Sequence, residues 1–88
     1  MNQKTIYNHL CEVADQLNVK VVKGKGNFKG GSCLLKKESM IVINYNYPFE
    51  SRIQALAICL LEFNLNKIRI NKEIRKLLNN VKEQITDE

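Results

Sequence analysis

Met40-Ile41-Val42-Ile43-Asn44-Tyr45-Asn46-Tyr47-Pro48, continuing as Phe49-Glu50-Ser51-Arg52-Ile53-Gln54-Ala55-Leu56-Ala57-Ile58-Cys59-Leu60-Leu61-Glu62-Phe63, is the stretch on which the fold turns. Its first run is apolar throughout and β-branched, which predicts a strand covered on both faces, or at least central in a sheet. Pro48 suits a first helical position, because its φ is already fixed near the helical value and it has no N–H to leave unpaired. Glu50 in the first turn complements the helix dipole. Beyond it, Phe49, Ile53, Leu56, Ala57, Leu60 and Leu61 form a wide apolar stripe, which Ile58, Cys59 and Phe63 extend almost around the axis. Such a helix is buried on more than one side, or turns one side to a partner.

Upstream, Lys37-Glu38-Ser39 joins this strand to a second run, Ser32 to Lys36, as an antiparallel hairpin. Before that lies Gly24-Lys25-Gly26-Asn27-Phe28-Lys29-Gly30-Gly31, a loop that holds all four glycines of the chain. Val19 to Lys23 is a short β-branched run and reads as a strand. Ile6, Leu10, Val13, Ala14 and Leu17 recur at helical spacing, which predicts a helix from Thr5 to Leu17 with Thr5 as its cap and Asn18 at its end. Downstream, Asn64 to Ile70 reads as an extended link. Asn71 then caps a last helix whose core face is Ile74, Leu77, Leu78, Val81 and Ile85, with Lys72, Arg75, Lys76 and Lys82 on the opposite face. The order helix, strand, strand, strand, helix, helix (α-β-β-β-α-α) predicts one α+β domain over residues 1–88, with a three-stranded, mainly antiparallel sheet and helices packed on it.

The layout of a strand ending in Ile43-Asn44, then Pro48, Arg52 and Leu56-Ala57, resembles zinc metallopeptidases of the ImmA/IrrE type, in which Leu-Ala is followed by His-Glu-x-x-His. The resemblance covers the middle half of the chain and also draws on Gly30-Gly31. It implies a leading helix, a small sheet and a helix carrying the active site, but the motif itself is degenerate. Ile58 stands where the first His belongs, Cys59 where the Glu belongs, and Glu62 where the second His belongs. Zinc hydrolysis needs two imidazoles at i and i+4 with the carboxylate beside them to activate the bound water. With one His in the chain, the resemblance implies a ligand-less relative with no catalysis, metal or cofactor.

Other chemistries find no better footing. His9, Cys11, Cys33 and Cys59 amount to a Cys3His set, but no pair has chelate spacing, and His9 and Cys11 point about 200° apart on a helix. Cys59, flanked by Ile58 and Leu60, reads as an inert thiol. Glu62 is a carboxylate on an apolar helix, for which pairing with a basic residue of the last helix competes with simple exposure. The glycine loop matches neither phosphate-loop pattern and runs from strand to strand.

The apolar fraction of 44% and charged fraction of 26% are those of a globular domain, well away from disorder. A chain of 88 residues buries about 60 to 65% of the surface it exposes when unfolded, so its stability is marginal and its apolar faces are all in use. No run approaches the ~18 apolar residues of a membrane span, and the first residues lack a signal-peptide layout. Three scattered cysteines suit free thiols in a reducing compartment, so the expected location is the cytoplasm.

Two interaction classes remain. The ring-bearing segment Tyr45, Tyr47 and Phe49, next to the nearly all-round apolar helix, points to a protein partner or to self-association as a homodimer. The alternative rests on charge. The chain carries 14 basic and 9 acidic residues, and Lys20, Lys23, Lys25, Lys29, Lys36 and Lys37, with Phe28 among them, form an acid-free basic edge suited to nucleic acid or another anion.

Overall fold

The computed structural model describes residues 1–24 and 32–86, with residues 32–36, 85 and 86 in backbone only. Among the described residues three helices and a three-stranded sheet follow one another as α1 (Gln3–Gln16), β1 (Lys20–Gly24), β2 (Ser32–Leu35), a 3₁₀ turn (Lys36–Glu38), β3 (Met40–Asn44), α2 (Phe49–Leu60) and α3 (Lys72–Thr86).

Local chemistry explains most of the boundaries. Asn2 caps α1, its Oδ1 accepting the Thr5 N–H at 2.8 Å, so the helix begins ahead of Thr5, which was the expected cap. At the other end Asn18 takes φ 60, a left-handed turn that Asn tolerates better than most residues. Pro48 sits at the cap of α2 with ψ 156, one residue before the first helical position. Its carbonyl accepts the Arg52 N–H at 3.0 Å. Asn71 caps α3 as its sequence suggests, Oδ1 accepting from the Glu73 N–H at 2.8 Å.

The expectation of a mainly antiparallel sheet is wrong. The strand order is β1-β3-β2; β2 pairs antiparallel with β3 as a hairpin, but β1 pairs with β3 in parallel, Val21 opposite Ile41 and Val22 opposite Val42. Neighbours in sequence are neighbours in a sheet only about two-thirds of the time. Here the most apolar strand takes the middle, and β1, which carries Lys20 and Lys23, is left at the edge, where charges are tolerated. Nor is β3 covered on both faces. Ile41 and Ile43 are fully buried, whereas Met40 and Val42 on the opposite face are half-buried.

On the covered face, α1 packs on β1 and α2 crosses β2 and β3, while α3 makes its main contacts with α1 and α2. The core where these elements meet includes Leu10 and Ala14 of α1, Ile41 and Ile43, Leu56 and Leu60 of α2, and Ile74 and Leu78 of α3. On α3, Val81 is buried and Leu77 half-buried as expected, while the side chain of Ile85 lies outside the described residues. The link from 61 to 71 is turned rather than extended. Asn64 Oδ1 accepts the Asn66 N–H at 3.0 Å. Further along, Gln16 of α1 clasps the Arg69 backbone from both sides, donating from Nε2 to the carbonyl at 2.6 Å and accepting the N–H at 3.1 Å.

Candidate functional site

The β3–α2 junction is built on Asn44, a buried polar residue at the end of the central strand. Its Oδ1 accepts the Asn46 N–H at 3.0 Å and its carbonyl accepts the Tyr47 N–H at 3.2 Å. This turn places Tyr45 and Tyr47 on the surface, and Phe49, opening α2, is also exposed. The three rings do not form one patch of equal freedom. Phe49 meets the Tyr7 ring edge-on at 5.9 Å and 76°, and the Arg52 guanidinium lies 4.6 Å from its centroid. Arg52 Nε also donates to the Tyr47 carbonyl at 2.6 Å. Phe49 is therefore held between α1 and α2, while Tyr47 begins an exposed row along α2 made of Ser51, Gln54 and Ile58.

Ile58 is the unusual member of that row. Its neighbours Ala57 and Cys59 are buried, yet Ile58 is 39% exposed, on the same outward line as Tyr47 at 36%. A shallow depression bounded by Tyr47, Ser51, Gln54, Ala55 and Ile58 runs between them. At its far end Ile58 also lines a cavity of about 500 Å³ between the end of α2, the link and α3. The apolar part of that cavity is Leu61, Phe63, Leu65, Ile70 and Leu78 together with Ile58, and Arg75, Asn79 and Lys82 come to it from α3.

Both ligand positions of the degenerate motif, Ile58 and Glu62, line this cavity, but they do not share one helix. The helix ends at Leu60 with Leu61 as its cap, so Glu62 lies beyond it. The Glu62 and Phe63 N–H groups bond three residues back, to the carbonyls of Cys59 and Leu60 at 3.2 and 3.1 Å, the tightened pattern common where a helix runs out. Cys59 is buried and Glu62 exposed. Among the described residues no three His, Cys, Asp or Glu side chains gather as a metal ion would require. His9 Nδ1 lies 3.6 Å from Glu12 Oε2, one turn along α1.

Cys11, half-buried on α1, has its thiol pushed above the ordinary value of 9.0, first by burial and then by Asp15 and Glu12. Tyr7 is raised above 10.0 by burial and by Cys11, with Arg52 pulling the other way. Both groups are neutral when protonated, and the fold disfavours their anions. Above pH 9 the unfolded chain releases these protons first, so stability is fully present below the unfolded-state values and is lost as pH rises through the folded-state ones. Urea midpoints measured from pH 7 to pH 10.5 are expected to decline only above about pH 9, with part of that decline removed in Cys11→Ala.

Of the proposed anion-binding residues, Lys20, Lys23 and Lys37 are exposed. Lys25, Phe28, Lys29 and the side chain of Lys36 lie outside the described residues. The sequence reading singled out no residue of the second basic region for a site, although 67–82 holds six basic residues and one acid. Its spacing of Arg75, Asn79 and Lys82 at i, i+4 and i+7 was the available signal. Among the described residues no helix is long and apolar enough to cross a membrane. The chain matches no family model, no curated protein and no solved structure.

Proposed function

We propose that this chain is a non-catalytic interaction domain that binds a protein partner, in the first instance a second copy of itself, through the outward row of α2 from Tyr47 to Ile58. The observation that carries this reading is the exposure of Ile58 in line with Tyr47 on a helix whose other apolar residues are largely buried. An exposed β-branched residue near the C-terminal end of a helix face, with rings at the other end and an apolar cavity beside it, suits a small contact surface. One helix face falls short of the roughly 800 Å² per partner of a standard interface, so the association is weak, micromolar or looser. Absence of catalysis is supported by Ile58, Cys59 and Glu62 standing at the motif positions, since none of them supplies an imidazole. A reducing, cytoplasmic setting is part of the same reading, supported by Cys11 being a free thiol.

The test is an amide chemical-shift map across a dilution series. Concentration-dependent shifts gathered on Tyr45 to Ile58 are expected. Invariant spectra would remove self-association, and shifts that instead follow added oligonucleotide at Lys20, Lys23 and Lys37 would replace this reading with the anion-binding one.

A further inference from the structure

We propose that the cavity between α2, the link and α3 is a binding site for a small organic anion with an apolar body, such as a medium-chain carboxylate. At about 500 Å³ its volume falls within the range of small-ligand sites, roughly 300 to 1,000 Å³. Its chemistry is divided in the way such a ligand needs. Leu61, Phe63, Leu65 and Ile70 of the link region and Leu78 of α3 supply the apolar part of the lining, between which Asn64 and Asn66 add neutral polar groups.

Cationic groups come from one wall only. Arg75 and Lys82, two turns apart on α3 with Asn79 between them, bring two positive charges and a carboxamide to the cavity, while Glu62 stands on the α2 side. A carboxylate bound here turns toward α3, away from Glu62, and an Arg fork takes it through two parallel hydrogen bonds. The surrounding sequence favours the same sign, since residues 67–82 carry six basic side chains and one acid. The ligand's apolar body then lies against Phe63, Leu65 and Leu78. This site does not depend on what covers the α2 row, although Ile58 belongs to both.

Decanoate, titrated into the whole chain below its micellar concentration and followed by amide shifts, is the probe. Saturable shifts at Leu65, Asn79 and Leu78 are expected, with decanol binding at least tenfold more weakly and Arg75→Gln weakening decanoate by a similar factor. Arg75 is exposed, so this substitution leaves the core intact, and the decanol comparison needs no variant at all. The proposal is overturned if decanoate produces no saturable shifts around the cavity, or if decanol binds as well as decanoate. It is equally overturned if Arg75→Gln binds decanoate unchanged.

Discussion

Leu56→Ala is expected to cost about 3 to 5 kcal/mol of folding free energy, which is a large share of the roughly 4 to 13 kcal/mol available to a chain of this size. Leu56 is fully buried near the centre of α2, the element that packs on α1, α3, β2 and β3 together. Removing its branched end therefore opens a cavity that no single neighbour can close, which places the cost toward the upper part of the range. The companion substitution Ile58→Ala, only two residues along the same helix, is expected to change stability by no more than about 0.5 kcal/mol, as for other surface positions. Urea midpoints at pH 7 read both effects. Near-equal losses for the two variants would mean that the phase of α2 is other than described, and with it the outward row.

Ile58→Asp carries the second large effect, on association rather than stability. Ile58 is the apolar anchor of the proposed contact, and burying a carboxylate there without a partner costs at least about 2 kcal/mol, or roughly thirtyfold in the dimer dissociation constant. Sedimentation equilibrium at a concentration where the parent chain is partly dimeric should then show only monomer. Tyr47→Ala at the end of the row should weaken the dimer by a smaller factor, and Lys20→Glu, on the far edge strand, should leave it unweakened. A variant Ile58→Asp that dimerises like the parent removes the α2 row from the interface.

What could be read from the sequence was whatever depends on one element at a time. The helical stripe of Ile53, Leu56, Ala57 and Leu60, the Asn71 cap and the β2–β3 hairpin are each written in a dozen residues or fewer. Pairing between β1 and β3 is not, because a period of two tells which face a side chain takes but not which strand lies alongside. Asn2 and Thr5 are both good caps, and only the extra turn gained by starting at Asn2 decides between them. The end of α2 was misplaced for a similar reason: Leu61, Glu62 and Phe63 continue the apolar period, while the Cys59 and Leu60 carbonyls already close three-residue turns.

The candidate surface was legible in part. Tyr45, Tyr47 and Phe49 stand out by residue type, but the contact of Phe49 with Tyr7 joins residues about forty positions apart and leaves no local trace. In the sequence Ile58 reads as a missing ligand and as one more residue of the apolar stripe. Its exposure comes from the angle at which α2 crosses the other elements, and a nearly all-round apolar helix does not announce which side stays open. Arg75 and Lys82 looked like a solvated face until the link folded back beside them.

The measurement that tests the central claim most directly is the light-scattering mass of the chain across salt concentration, with and without a mixed oligonucleotide pool. Two copies of net charge +5 repel, and an apolar contact gains nothing from low salt. The account therefore predicts a dimer fraction that holds or rises as salt is added and that ignores the oligonucleotide. A monomer whose mass climbs with oligonucleotide at low salt and falls back at high salt would contradict it, and would move the function from the row on α2 to the lysines of the sheet edge.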